Sequence, residues 1–171
     1  MGMILLGYRG SGKTTIGKKL ADRLWQKCVD TDDIIVKTTG KTIKEIFEQL
    51  GEQRFRDLEA EAVKKAMTMQ DHVIALGGGA VLRPETRELL KNSAHKRLYL
   101  RCEPHELLRR VEADPRSATD RPDLTELGGN IDEVQRVLTE REPLYREVMT
   151  AELDVTNLSM EETVVRLVRL C

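Results

Sequence analysis

The chain has 171 residues, of which 40% are hydrophobic, 33% charged and 4% aromatic, and its formal net charge is −1. This length suits a single domain over residues 1–171, with a core built mainly from Leu, Ile, Val and Ala. The near-zero net charge excludes a global attraction to nucleic acid or acidic membranes, so we expect neither as a partner.

Apolar strands alternate with amphipathic helices along the chain. We predict strands at 3–6, 28–29, 73–76, 97–100 and 153–155. The predicted helices are 13–25, 32–67 with breaks near Gly40 and Gly51, one opened by Pro104, 131–148, and a closing helix from Met160. Trp25, at the end of the first helix, is expected to pack against the protein rather than to hold a nucleobase. The alternation predicts a parallel sheet covered by helices on both faces.

A glycine-rich segment separates the first strand from the first helix. Residues 7–14 fit the pattern G-x-x-x-x-G-K-[ST]. In such a loop, backbone N–H groups turn toward phosphate oxygens, the lysine reaches the β- and γ-phosphates, and the hydroxyl ligates Mg²⁺. The helix that follows adds its positive N-terminal end, although a turn without a ligand is the alternative. The predicted ATP-binding residues here are Gly10, Ser11, Gly12, Lys13, Thr14 and Thr15.

Two carboxylates follow the second predicted strand. Asp30 and Asp32 flank Thr31 at the carboxyl end of that strand, where open parallel sheets bind ligands. Asp30 can hold Mg²⁺ directly or through water. If the backbone stays extended, Asp32 points the same way and can accept a hydrogen bond from a substrate hydroxyl and help remove its proton. The alternative is that Asp32 or Asp33 merely caps the next helix.

Further binding groups are glycines and arginines. Three consecutive glycines after the third strand offer backbone N–H groups that no side chain covers, although a tight turn is the alternative. Planar guanidinium forks bind carboxylates through two hydrogen bonds, so arginines suit an acid substrate. Each arginine taken alone is more often a solvated surface charge. The candidates are Gly77, Gly78, Gly79, Arg56, Arg121 and Arg141.

The segment 113–129 contains two prolines, two glycines and many charges, but few apolar residues. This composition predicts a mobile surface loop, long enough to be functional.

Cys28, Cys102 and Cys171 are far apart and match no zinc-binding or CxxC spacing, so we expect free thiols in a reducing compartment. The apolar run at residues 3–6 is too short for a signal peptide, and no later stretch approaches the ~20 apolar residues that cross a bilayer. We therefore expect a cytoplasmic protein.

Taken together, these motifs resemble those of shikimate kinases, from the first strand to the last helix. The phosphate loop is shared by many kinases, whereas D-T-D, G-E-x-x-F-R and the triple glycine in this order are much more specific. The resemblance implies a P-loop kinase fold, with a three-layer α/β/α sandwich, a central five-stranded parallel sheet and a mobile lid at about 111–129. The segments that carry it are 10–15, 30–32, 51–56, 77–81, 121–122 and 141–146.

The resemblance also implies roles on the ATP side of the site. Lys13 and Thr14 would hold the phosphates and Mg²⁺, with Asp30 as the magnesium carboxylate. Arg121 would be the lid arginine that closes onto ATP, with Arg116 as a rival. The family pattern places Arg109 or Arg110 against the adenine.

On the acceptor side, the resemblance implies that residues 32–60 supply the substrate-binding helices. Asp32 would bind the substrate and act as the candidate base. Arg56 and Arg141 would clamp the carboxylate of shikimate, with the backbone N–H groups of residues 77–79 as further donors. The pocket would be lined or braced by Phe47, Phe55 and Glu59.

The activity implied by the resemblance is the conversion of ATP and shikimate to ADP and shikimate 3-phosphate, in aromatic amino acid synthesis, by a monomer. One alternative is a kinase for another small acceptor, such as gluconate or a nucleoside monophosphate. The other is a non-catalytic nucleotide-sensing protein, which could lose Asp32 or the arginines, yet all of them are present.

Overall fold

The computed structural model describes residues 2–114 and 129–170. Its strands are β1 Met3–Leu6, β2 Lys27–Asp30, β3 His72–Ala75, β4 Lys96–Arg101 and β5 Ala151–Asp154. They form one parallel sheet in the order β2-β3-β1-β4-β5. Ile4 in the central strand pairs with Ile74 on one side and with Arg97 on the other. The predicted five-stranded parallel sheet is therefore confirmed.

The helices of the described ranges are α1 Lys13–Arg23, α2 Thr31–Thr39, α3 Ile43–Met67, α4 Pro84–Lys91, α5 Pro104–Ala113, α6 Ile131–Val148 and α7 Met160–Arg169. Both predicted glycine breaks are present, because Gly40 ends α2 with φ 67° and Gly51 interrupts α3 with φ 79°. Helix α4 and the 3-10 turn Ala80–Leu82 before it were not predicted. Pro84 in the first turn of α4 was a usable signal, since proline favours that position.

The alternating residues of β1 build a hydrophobic core on each face of the sheet. Met3 and Leu5 belong to a cluster with the buried faces of α1, α5 and α7. Ile4 and Leu6 belong to a second cluster with α3 and α4. Helix α6 contributes to both, since its first half packs into the first cluster and Tyr145 into the second. The three-layer arrangement is confirmed.

The strand order decides which loops meet. β1 lies between β3 and β4, and β2 lies beside β3. The carboxyl ends of β1, β2 and β3 therefore deliver the glycine-rich loop, the D-T-D motif and the triple glycine to one edge of the sheet. Such an edge is where open α/β sheets bind ligands.

Two expectations were wrong in detail. Trp25 does not pack against the protein, since it is 96% exposed and follows α1 with φ 58°. The last strand begins two residues earlier than predicted and ends at Asp154, because the pairing with β4 starts at Ala151.

None of the helices in the described ranges combines the length and apolar character needed to cross a membrane.

The central core should dominate stability. Ile74 is fully buried between two strands, so Ile74→Ala should lower the free energy of unfolding by about 2–5 kcal/mol through lost burial and a residual cavity. Trp25→Ala removes a larger but exposed side chain and should change the free energy of unfolding by less than about 0.5 kcal/mol. Urea denaturation followed by circular dichroism measures both. Equal losses would contradict this account of the core.

Candidate active site

A cleft of about 790 Å³ opens at the carboxyl edge of the sheet. The phosphate loop, the start of α2, the glycine turn after β3, the end of α5 and residues 156–160 line it. The predicted site residues among its lining are Gly10, Gly12, Lys13, Thr14, Thr15, Asp30, Asp32, Gly77, Gly78 and Arg110. The topology thus brings ten predicted residues from four separate segments of the chain into one cavity.

The phosphate loop depends on glycine at two of its inner positions. Gly10 and Gly12 have φ values of 85° and 92°, a left-handed region that side chains disfavour. A Cβ at Gly10 would lie 2.9 Å from Cγ2 of Val111 and 3.0 Å from the carbonyl oxygen of Leu107. The loop therefore packs directly on α5. Ser11 lies within it, fully buried, and donates its backbone N–H to the Tyr8 carbonyl at 3.2 Å.

Lys13 is held inside this loop. Its ammonium donates to the carbonyl oxygens of Gly7 and Tyr8, each at 2.8 Å, and the residue is only 9% exposed. Lys13 is also the first residue of α1, so its charge adds to the positive end of that helix. The floor of the cleft is therefore a site for anions.

Thr14 and Asp30 are joined across the cleft. The Thr14 hydroxyl donates to Oδ2 of Asp30 at 2.6 Å, and Oδ1 of Asp30 accepts the backbone N–H of Asp32 at 2.9 Å. Asp30 is thus the N-cap of α2, and Asp32 and Asp33 lie in its first turn. The backbone therefore does not stay extended through Asp32, and the alternative in which Asp32 or Asp33 caps the helix is wrong as well. Asp30 and Asp32 nevertheless line the same cleft.

The chemistry of these donors fits Mg²⁺ better than a softer metal. A threonine hydroxyl and a carboxylate are hard oxygen ligands, and magnesium is commonly held by one or two such groups with phosphate and water. Among the described residues, no cluster of three or more His, Cys, Asp or Glu side chains could hold a metal alone. A cation beside Thr14 and Asp30 would therefore take its remaining ligands from a phosphate chain and water.

Two carboxylates lie close to Gly77. Its N–H donates to the Thr31 hydroxyl at 2.9 Å inside the protein. A Cβ at Gly77 would lie 2.8 Å from a carboxylate oxygen of Asp32 and 2.8 Å from one of Glu59. Glycine is required here because α2 and α3 bring these two acids against the backbone of the turn.

Arg56 lies on the same side of the turn. It pairs with Glu59 at 2.8 Å and with Glu52 at 3.2 Å, and it lies over the Phe55 ring at 5.2 Å from its centroid. A Cβ at Gly79 would overlap its Nη1 atom. Burial raises the pKa of the Glu59 carboxyl above its ordinary value, while the nearby Arg56 guanidinium acts in the opposite direction. Glu59 therefore restrains a guanidinium that faces the turn.

Arg141 approaches the turn from α6. It is 7% exposed, and its Nη1 atom lies 3.6 Å from the position that a Cβ on Gly78 would take. Arg56 and Arg141 thus reach the same three-glycine segment from different helices. Sequence spacing could not show this convergence, because the two residues are far apart in the chain.

Helix α5 and the segment after β5 line another part of the cleft. Arg110 pairs with Glu106 at 2.7 Å and donates to the Val155 carbonyl at 2.9 Å. Arg109 pairs with Glu106 as well, at 2.7 Å, but its side chain is 68% exposed. Of the two arginines, Arg110 is the one fixed against the 155–156 backbone.

Of the predicted lid at 111–129, the structure describes residues 111–114 and 129. Residues 111–113 belong to α5, so the helix extends into the range expected for the lid. Arg116 and Arg121 lie outside the described residues, and their assignment stays a prediction.

Sequence analysis missed three side chains of this region. Glu133 is fully buried and lies 3.7 Å from the guanidinium of Arg9, which also lines the cleft. Glu106 binds both α5 arginines, and Tyr145 was noted only as part of a motif. A signal existed for Glu133, because it lies eight residues before Arg141 on the buried face of α6.

Comparison with known proteins agrees with this geometry. Residues 9–171 match the family described as shikimate kinase. The chain is 42% identical over 160 residues to a shikimate kinase of Rhodopirellula baltica, covering 94% of this chain and 84% of that protein. It is 38% identical over 168 residues to one of Caldanaerobacter subterraneus, covering 98% of this chain and 94% of that protein.

Solved structures give the same result. A shikimate kinase from Acinetobacter baumannii, in complex with shikimate, superposes with a TM-score of 0.90 at 31% identity. The match covers 99% of this chain and 91% of that one. Fold, motifs and relatives agree, and the chain belongs to the shikimate kinase family.

Proposed function

We propose that this protein transfers the terminal phosphoryl group of ATP to the 3-hydroxyl of shikimate, giving ADP and shikimate 3-phosphate. One observation carries the proposal. A single cleft is lined by an anion-binding phosphate loop, by Asp32 and by Gly77 and Gly78 of the glycine turn. Arg56 and Arg141 approach that turn, although neither is among the residues that line the cleft. Family membership and the shikimate complex of the Acinetobacter baumannii relative support the choice of acceptor.

The donor half of the cleft would bind ATP. Lys13 and the loop N–H groups would bind the phosphates, and Thr14 and Asp30 would hold Mg²⁺. When bound, the cation neutralises charge on the phosphate chain. Arg110 and residues 156–160 line the same cleft and would face the nucleoside, in keeping with the place that the family resemblance implies for Arg109 or Arg110.

The acceptor half would bind the acid. Arg56 and Arg141 would hold its carboxylate, with the glycine N–H groups of residues 77–79 as additional donors. Asp32 would accept a hydrogen bond from the attacking hydroxyl and receive its proton. Glu59, buried beside Asp32 and paired with Arg56, would keep both groups oriented.

Phosphoryl transfer needs positioning and charge stabilisation more than covalent help from the protein. Lys13 would stabilise negative charge on the transferred group, and a lid arginine, Arg121 or its rival Arg116, would add a second cation on the strength of the family resemblance. Exclusion of water would then limit hydrolysis of ATP. A reducing cytoplasm suits this proposal, since Cys28 and Cys102 are free thiols. A monomer is what the family resemblance implies.

The test of this function is a coupled assay of ADP release with shikimate, gluconate or AMP as the acceptor. We expect turnover with shikimate and with neither of the other two acceptors. Turnover with gluconate or AMP instead would favour a kinase for another acceptor. ATP binding without turnover on any of the three would favour a nucleotide-sensing protein.

Replacement of a loop glycine should impair ATP binding. Gly10→Ala combines a positive φ with contacts to Val111 and Leu107, so the affinity for ATP should fall by at least about ten-fold. Gly40→Ala is the control, because its φ is also positive but a Cβ there meets nothing within 4 Å. Isothermal titration with Mg·ATP measures both affinities. Equal affinities would show that the loop tolerates a side chain at Gly10.

Two substitutions address the chemical step. Lys13→Ala and Asp32→Asn should each lower kcat by at least ~100-fold, the scale of losing one preorganised charge-stabilising group. Steady-state kinetics with saturating ATP and shikimate measures this loss. Near-normal turnover of the Asp32→Asn enzyme would remove Asp32 from the role of base.

The acid clamp predicts a different kinetic pattern. Arg141→Ala should raise the KM for shikimate by at least ~10-fold, because a charge-assisted hydrogen bond to the carboxylate is lost. The KM for ATP should stay nearly constant. Arg146→Ala, on the same helix but paired with Glu142 and Glu152 at the surface, is the matched control. An unchanged KM for shikimate in Arg141→Ala would exclude this arginine from the clamp.

A further inference from the structure

Tyr145 makes a buried contact to the acceptor half of the cleft. It lies on the buried face of α6, four residues after Arg141, and it is 1% exposed. Its hydroxyl donates to the carbonyl oxygen of Gly78 at 2.6 Å. The bond joins α6 to the glycine turn, although Tyr145 is not itself among the residues that line the cleft.

The Tyr145 hydroxyl is a fixed donor. The ring stacks on Tyr99 with centroids 5.0 Å apart and 27° between the planes, which locks its position. Burial raises the pKa of Tyr145 to about 12, partly offset by the Arg141 guanidinium nearby. The hydroxyl therefore stays protonated at neutral pH and donates a hydrogen bond to the Gly78 carbonyl.

This bond sets the direction of a neighbouring N–H group. The Gly78 carbonyl and the Gly79 N–H belong to one planar peptide unit, and the described chain contains no cis peptide bonds. In a trans peptide the two groups point in opposite directions, so fixing the carbonyl fixes the N–H. The Ala80 N–H donates to the Gly77 carbonyl at 3.1 Å and closes the turn, and the Tyr145 hydroxyl adds a bond to the peptide in its middle, between two glycines that restrict the backbone little.

Two arginine side chains lie against this turn. The Arg56 guanidinium packs so closely against Gly79 that a Cβ there would overlap it. The Arg141 guanidinium lies on the Gly78 side of the same turn, and Gly78 lines the cleft. The aimed peptide group is therefore held beside two cations suited to an acid substrate.

We propose that Tyr145 is a positioning residue for the acceptor: it holds the Gly78 carbonyl and thereby aims the Gly79 N–H at the carboxylate of the acid substrate. The inference rests on the proposed function, since it assumes an acid in this half of the cleft. It adds a role for a side chain that does not itself touch the substrate.

The test compares two phenylalanine variants of one aromatic stack. Tyr145→Phe keeps the ring but removes the hydroxyl that donates to Gly78 and that also has a hydrogen bond with the Arg141 side chain. Tyr99→Phe removes a hydroxyl that donates to Glu142 at 3.2 Å, away from the turn. In Tyr145→Phe the KM for shikimate should rise about five-fold, the effect of one lost neutral hydrogen bond. Its kcat and its KM for ATP should stay within about two-fold, and Tyr99→Phe should leave all three values within that range.

The possible outcomes separate this inference from the proposed function. If the wild-type enzyme does not phosphorylate shikimate, the proposed function is wrong and the inference falls with it. If the wild type is active but both variants show the same KM for shikimate, the inference alone is overturned. It is likewise overturned if Tyr145→Phe melts at a lower temperature with its KM for shikimate unchanged, because the hydroxyl would then serve stability only.

A measurement on the wild-type protein covers the case in which Tyr145→Phe does not fold. In nuclear magnetic resonance spectra, the amide resonance of Gly79 should shift when shikimate is added, because its N–H gains a charged acceptor. The amide of Gly2, which precedes β1 at the edge of the sheet opposite the cleft, is the internal control. An unmoved Gly79 resonance at saturating shikimate would overturn the proposal.

Discussion

The parallel pairing of β2, β3 and β1 is the constraint on which the cleft depends. Parallel strands end at the same edge, so this pairing places the loops that follow all three side by side. The hydrogen bond from Thr14 to Asp30 and the one from Gly77 to Thr31 then join those loops directly. Thr14, Asp30 and Gly77 are thus fixed by bonds between neighbouring loops, whereas Lys13 is held by carbonyl groups of its own loop.

Burial of charge is the second feature that shapes the site. Lys13, Glu59, Arg141 and Glu133 are all nearly inaccessible to water, which is costly for charged groups unless they are compensated. Loop carbonyls surround Lys13, and Arg56 and Arg9 accompany the two acids. The compensated charges keep few rotamers, so the cleft is organised before any substrate arrives.

Sequence reasoning recovered what periodicity and local chemistry determine. The strands, the glycine breaks in α2 and α3 and the phosphate loop follow from patterns within about ten residues. Sequence reasoning failed where contacts between distant parts of the chain determine the local structure. The sequence left open whether the backbone stays extended through the D-T-D segment; in the structure the Asp30 side chain caps α2, whose first turn contains Asp32.

The convergence of Arg56 and Arg141 also depends on tertiary contacts that local sequence patterns do not show, because two helices distant in sequence must meet at residues 77–79. The buried pair of Arg9 and Glu133 is another case, since either charge alone is typical of a solvated surface. Family resemblance supplied the roles of the arginines in advance. It did not supply the contact from Tyr145 to Gly78, which only the packing of α6 on the turn shows.

The exposure of Trp25 has a spectroscopic consequence. It is the only tryptophan of the chain, it is almost fully surrounded by solvent, and it is absent from the cleft lining. Intrinsic fluorescence excited at the indole band therefore reports an aqueous environment in the folded protein as in the unfolded one. An optical probe of ligand binding requires an indole introduced beside the cleft, with Trp25 replaced so that its constant emission does not mask the signal.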